Sequence, residues 1–211
     1  EAEVQSYTNA KGGLIQPNAL PGDVRFVDLN GDGVIDSRDK TMIGKPNPDF
    51  TYGLNLNLGY KGFDLGVSLY GVSGNQVHDG ARDFGSPLSN YTTEILGRWH
   101  GEGTSNRLPR VTLNDEANQN WSRSSDLFIK DASFLRVRSI NLGYDFKKKL
   151  LRNVPLQQLR LYVSGTNLFT FTKYNGMDPE IGYGPVSWAS GIDVGTYPQP
   201  RTFIVGLNAK F

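Results

Sequence analysis

The last stretch of the chain, Arg201 to Phe211, alternates apolar and mixed positions without a break. Phe203, Val205, Leu207, Ala209 and Phe211 fall on one side, and Thr202, Ile204, Gly206, Asn208 and Lys210 on the other. That period of two predicts a strand. Phe50 to Tyr60 repeats the pattern more fully: Phe50, Tyr52, Leu54, Leu56, Leu58 and Tyr60 share a face, opposite Thr51, Gly53, Asn55, Asn57 and Gly59. Aromatic residues stand at both ends of that apolar row and leucines between them. A buried soluble core does not require this order, whereas a bilayer does, because aromatic rings favour its two interfaces. At about 3.3 Å per residue and a tilt of about 40°, such a strand rises roughly 25 Å, the height of the apolar band of a membrane barrel.

Lys61-Gly62 makes a tight turn, and the next strand puts Phe63, Leu65, Val67 and Leu69 on one face. Tyr60 and Phe63 then meet at the turn end as part of an aromatic girdle. Ser133 to Phe146 is a strand whose phase slips: Leu135 and Val137 are out of step with Ile140, Leu142, Tyr144 and Phe146. A β-bulge near Arg138-Ser139 reconciles the two halves. Strands are expected at about 50–60, 62–72, 133–146, 158–171 and 201–211, with residues 1–49 as a polar loop. Residues 73–131 form a long connection with one short helical candidate near Thr92 to His100. Connections alternate between long and short, as they do between the outside and the periplasmic side of outer-membrane barrels. This places the C-terminus in the periplasm. Five strands cannot close a barrel, so the N-terminal part is expected to be missing from this chain. The competing reading is a secreted, calcium-binding, carbohydrate-binding β-sandwich module.

Composition removes several function classes. Lys and Arg number 22 and Asp and Glu 21, for a net charge of +1, which gives no electrostatic case for nucleic acid. Cysteine is absent, so there is neither a disulfide scaffold nor a Cys-ligated metal. Mean hydropathy is -0.42 and no apolar run is long enough for a membrane helix, which leaves alternating barrel strands untouched. The chain begins without Met or a signal-peptide pattern, so a mature or fragmentary product is expected. Its two histidines, His78 and His100, sit in no nucleophile or metal motif, and no enzymatic constellation is present.

One motif does carry chemistry. DLNGDGVIDSRD, from Asp28 to Asp39, spaces oxygen ligands as a calcium loop does. Asp28, Asn30, Asp32, Asp36 and Asp39 take positions 1, 3, 5, 9 and 12, Gly33 allows the sharp turn, and the Val34 carbonyl falls at position 7. Position 12 is Asp rather than Glu, and Lys45-Pro46-Asn47-Pro48 precludes a following helix. A metal-free turn cluster is the alternative. Trp99, Trp121 and Trp188 all fall in loops, where they pack or stack on a ligand.

The same residues resemble a family. Gly22-Asp23-Val24-Arg25-Phe26-Val27-Asp28-Leu29-Asn30-Gly31-Asp32-Gly33 looks like a stretch of the SusC/RagA-type TonB-dependent outer-membrane receptors. So do Arg98-Trp99, Leu108-Pro109-Arg110, Ile129 to Arg136, Leu142-Gly143-Tyr144, Gly165-Thr166-Asn167-Leu168-Phe169 and Met177-Asp178-Pro179-Glu180. The ending from Tyr197-Pro198 to Phe211 is similar to the family's closing strand. The resemblance implies an all-β fold: the C-terminal portion of a 22-stranded antiparallel transmembrane barrel with long extracellular loops. An N-terminal plug domain and the TonB-contacting segment would lie outside this chain. It implies outer-membrane import of glycans or oligopeptides, driven by TonB and capped by a SusD-like lipoprotein. Asp178-Pro179-Glu180 is expected to shape its loop, with Pro fixing φ and the carboxylates bonding nearby donors.

Overall fold

A computed structural model describes residues 2–81, 90–113, 115–146, 155–181 and 190–211. Most of the basic turn expected after Phe146, and Trp188, lie outside them. The strands are β1 (Phe50–Tyr60), β2 (Phe63–Ser73), β3 (Gln76–Asp79), β4 (Ile129–Asp131), β5 (Phe134–Asp145), β6 (Gln158–Thr172), β7 (Ile192–Asp193) and β8 (Thr202–Lys210). The α-helix among the described residues is one short turn, α1 (Ala2–Ser6). The chain divides into two compact units, Glu1–Gly44 with Gly80–Ile129, and Lys45–Asp79 with Lys130–Phe211.

The second unit contains a five-stranded sheet in the order β1-β2-β5-β6-β8, antiparallel throughout. Its register turns the alternation of each strand into continuous rows. Tyr60, Phe63, Tyr144, Leu161 and Leu207 lie side by side across the sheet, and Leu58, Leu65, Leu142, Val163 and Val205 form the next row. The girdle at the turn end is real packing, with Phe63 and Tyr144 ring centroids 4.5 Å apart and Tyr144 and Phe146 5.0 Å apart. At the other end the Tyr52 ring fills the space above Gly71, where any Cβ would overlap it. The apolar face is bare: Leu54 is 57% exposed, Leu142 48% and Val205 72%. A sandwich core buries such a face against a second sheet; here no layer among the described residues covers these side chains.

The opposite face is polar. It carries Asn57, Asn141 and Ser164 in one row and Asn55, Ser68, Ser139 and Thr166 in the next. Arg160 on β6 reaches Asp64 on β2 through two hydrogen bonds, Nε to Oδ1 at 3.0 Å and Nη2 to Oδ2 at 2.6 Å. The pair spans the intervening β5 because Gly143 has no side chain there; a Cβ would overlap both groups.

The phase slip in β5 is a bulge at Arg138. Val137 pairs with Leu69 and Ser139 with Ser68, leaving Arg138 unopposed on β2. On the β6 side, Asn167 and Leu168 are the residues out of register, with Asn167 at φ 52 and its Nδ2 donating to the Pro200 carbonyl at 3.1 Å. Asn tolerates this left-handed conformation better than most residues. The bulge gives the polar face one additional side chain, Arg138.

A small sheet in the order β4-β3-β7 was not anticipated from the alternation. Its strands have only three, four and two residues, too short for a period to register. It covers Val77, Ala132 and Tyr174, an apolar cluster in the second unit.

The first unit has a small apolar cluster of Ile95, Leu108, Trp121 and Phe128. The helical candidate near Thr92 to His100 is a single 3-10 turn, Thr93–Gly97, which supplies Ile95. The two stretches expected to be separate loops, 1–49 and 73–131, contribute most of this unit and fold on each other.

Candidate functional site

The first unit is tied together by polar side chains rather than by strands. The Asp23 carboxylate is fully buried, its side chain 1% exposed. It accepts from Arg110 Nε at 2.5 Å, from Asn120 Nδ2 at 2.7 Å and from the Leu20 amide at 2.8 Å. Asn120, itself 1% exposed, uses its Oδ1 to accept the Val24 amide and the Asn118 side chain. Gln16 clasps the same segment by donating to the Val24 carbonyl and accepting from the Phe26 amide. Trp121 donates its indole N–H to the Arg110 carbonyl at 3.1 Å. Every buried polar group named here has a partner, which is the condition for such a core to hold.

The clasp delivers the chain into the loop of Asp28 to Asp39. The Tyr7 hydroxyl donates to the Phe26 carbonyl and accepts from the Asp28 amide. Asp28 then accepts the amides of Gly31 and Gly33 at 2.8 and 2.7 Å. Asn30 accepts the Asp32 amide and Asp32 the Val34 amide. Asp39 closes the loop by accepting from the Leu29 and Asp36 amides at 2.9 and 2.7 Å, and Asp36 caps the short turn Ser37–Asp39. Gly33, at φ 84, has the Asn9 side chain packed where a Cβ would be.

These bonds have electrostatic consequences. The Arg38 side chain, and then its amide, hold the Asp36 carboxyl below the usual range; the Asp36 amide and then those of Leu29 and Asn30 do the same for Asp39. Asp36 above all, with Asp32, raises Arg38.

Asp28, Asn30, Asp32, Val34, Asp36 and Asp39 thus lie on one tight loop, and the donor set is all oxygen, which suits a hard divalent cation. The carboxylates are nevertheless engaged with backbone amides and with Arg38, whose Nη2 lies 2.6 Å from Asp32 and 2.8 Å from Asp36. Among the described residues no three His, Asp or Glu side chains converge on one point as metal ligands.

In the second unit, the Asp178 and Glu180 carboxylates bond nearby donors, as expected, and the chief of these is a buried guanidinium on the sheet. Arg136, 2% exposed, donates from Nη2 to Asp178 at 2.5 Å, from Nη1 to Glu180 at 2.8 Å and from Nε to Thr170 at 3.0 Å. Asp178 also accepts the Glu180 and Gln199 amides. Arg138, the bulge residue, reaches the other Glu180 oxygen at 2.7 Å and lies 4.3 Å over the Tyr70 ring. The cluster fastens residues 178–180 and 199 to the polar face of the sheet. The only sequence signal for it was the bulge, which displays Arg136 and Arg138 together.

No family model matches the chain. It is 36% identical over 197 residues to the TonB-dependent receptor P3 of Formosa agariphila, covering 90% of this chain and 19% of that protein. It is also 36% identical over 196 residues to the TonB-dependent receptor SusC of Bacteroides thetaiotaomicron, covering 92% of this chain and 18% of that one. In fold it is similar to the RagAB peptide importer in its closed-closed state, with a TM-score of 0.68 at 24% identity over 91% of this chain and 21% of that chain. The open-open state of the same importer gives a TM-score of 0.69 at 21% identity over 90% of this chain and 20% of that chain. The chain therefore spans about a fifth of the length of the relatives it matches.

Proposed function

We propose, for a chain that belongs to the SusC/RagA-type TonB-dependent receptors, that it forms part of the barrel wall and outer loops of an importer of glycans or oligopeptides. The observation that carries this is the bare apolar face, which runs across all five strands with aromatic rings at its ends. Lipid is the cover that such a face fits, and the polar face then lines the lumen. The localisation is the bacterial outer membrane. The turn after Tyr60 and the C-terminus face the periplasm, and residues 1–49 belong to an outer loop. A SusD-like surface lipoprotein caps the barrel, and TonB acts through a part of the receptor outside this chain. No chemistry on the substrate is involved.

The loop of Asp28 to Asp39 takes Ca²⁺ as a structural ion in this reading. Asp28, Asn30, Asp32, Asp36, Asp39 and the Val34 carbonyl would supply the oxygens, with Arg38 turned away from Asp32 and Asp36, and a bound ion would stiffen an outer loop without taking part in transport.

Deleting the gene from its host tests the import reading, with growth on single glycans and on peptides as the readout. Loss of growth on one of them, restored by the intact receptor but not in a TonB-deficient strain, is the expected result. Unchanged growth on all of them removes the reading. Calorimetric titration of the intact receptor with Ca²⁺ tests the ion; the same null heat in wild type and Asp28→Asn removes it.

A further inference from the structure

We propose that the first unit holds a binding subsite for a neutral oligosaccharide, walled by Trp99, Glu102 and Asn106. This deepens the import reading and rests on it. The site is a cavity of about 900 Å³ opening between α1, the turn at Pro21-Gly22 and the turn at Gly101–Thr104. That volume lies within the range that ligand pockets occupy, about 300–1,000 Å³.

The chemistry of the wall selects the ligand. The charges in it are mostly cancelled in place: Arg110 is held by Asp23, and Arg25 lies 3.3 Å from Glu3 and 5.5 Å from the centre of the Tyr7 ring. The lining carboxylates Glu3, Asp23 and Glu102 outnumber the guanidinium groups of Arg25 and Arg110, so the wall as a whole does not favour an acidic ligand. Glu102 and Asn106 have no hydrogen-bond partner among the described residues, and both line the cavity. A carboxylate accepts only and an amide both donates and accepts, a set matched to a ligand rich in hydroxyls. An unpaired carboxylate also repels acidic glycans.

Trp99 completes the set. Its ring lies against Gly22, at φ 87, where any Cβ would overlap the indole. The absent side chain lets the ring pack directly against the backbone, in the same wall as two hydrogen-bonding groups. Aromatic plates with a polar rim suit sugars, whose C–H faces are apolar and whose edges are hydroxyls. An extended peptide is less well served. One way to take an extended peptide is to add it as a strand to a free sheet edge, and the described residues of this unit contain isolated bridges but no strand apart from the start of β4.

The test uses the intact receptor in detergent. Maltohexaose, cellohexaose and mannohexaose are titrated against it, with hexagalacturonate and hexa-alanine as the acidic and peptide probes. One neutral hexaose is expected to bind, with Trp99→Ala weakening it at least tenfold, Asn106→Ala severalfold and Trp99→Phe much less. Unaltered melting temperatures of the variants show that they are folded. Equal binding by wild type and Trp99→Ala overturns the subsite, as does binding confined to hexagalacturonate or hexa-alanine, or no hexaose binding at all. Import is read separately. TonB-dependent uptake of a peptide or acidic glycan would keep the importer and discard the subsite. Hexaose binding without TonB-dependent uptake would keep the subsite and discard the importer.

Discussion

The two units of this chain hold their shape by opposite means. In the sheet, backbone ladders do the work and the side chains are free to divide into an apolar and a polar face. In the unit of Glu1–Gly44 and Gly80–Ile129, few backbone pairs cross between segments, and the side chains of buried Asp23 and Asn120 and half-buried Gln16 bond the backbone instead. The contrast follows from solvent. A strand in lipid must satisfy every amide through its neighbours. A loop body in water can use side chains, provided each buried one is paired.

The Arg136 cluster is where the sheet departs from its own rule, and its removal is expected to have the largest effect. Arg136→Ala leaves Asp178 buried without its cation, at a cost of about 3–5 kcal/mol. The measurement is protease sensitivity and amide exchange around residues 178–180 in the intact receptor, and protection equal to wild type would refute it. Next comes Leu142→Arg, which puts a charge in the middle of the apolar face and is expected to cost about 2–4 kcal/mol in lipid. Detergent-to-lipid folding titrations measure it; a neutral result would mean that the face does not meet lipid.

In the loop body, Asn120→Ala strands the Val24 amide and part of the Asp23 carboxylate, at about 1–3 kcal/mol. Amide exchange is expected to quicken in residues 16–26 and 110–121 but not in the sheet strands. Gly22→Ala combines a left-handed backbone with a clash on Trp99 and is expected to cost about 1–2 kcal/mol. Displacement of the indole should red-shift its fluorescence. The smallest effect is that of pH. Asp36 and Asp39 are held below their ordinary values, so their contribution is present above the unfolded carboxylate range and is lost as pH falls through the lowered folded values. Protection factors at the Leu29 and Arg38 amides, corrected for the intrinsic pH dependence of exchange, should therefore fall on acidification below about pH 4, with little change between pH 6 and 8.

Period-two alternation was enough to recognise an all-β chain built for a bilayer, because each face of a barrel strand meets one uniform environment. Leu54, Leu56 and Leu58 state their surroundings locally, whatever strand lies next to them. The slip between Val137 and Ile140 likewise told of a bulge before any pairing was known. The oxygen spacing from Asp28 to Asp39 was also local, since the hydrogen bonds that shape the loop among the described residues are made within it, apart from the Asp28 amide to Tyr7, 21 positions away.

Tertiary structure decided what depends on distant partners. Asp23 and Asn120 are 97 positions apart, and Arg136 and Asp178 are 42 apart; no periodicity links them. Asp178-Pro179-Glu180 read as a turn because a carboxylate in a loop looks the same whether it faces water or a buried guanidinium. Trp99 read as a loop aromatic that either packs or stacks on a ligand, and only folding set its ring against Gly22 and beside a cavity. Alternation reports only whether a side chain meets an apolar or a polar environment. Which partner a polar side chain finds is fixed by chain closure, and only the folded chain records it.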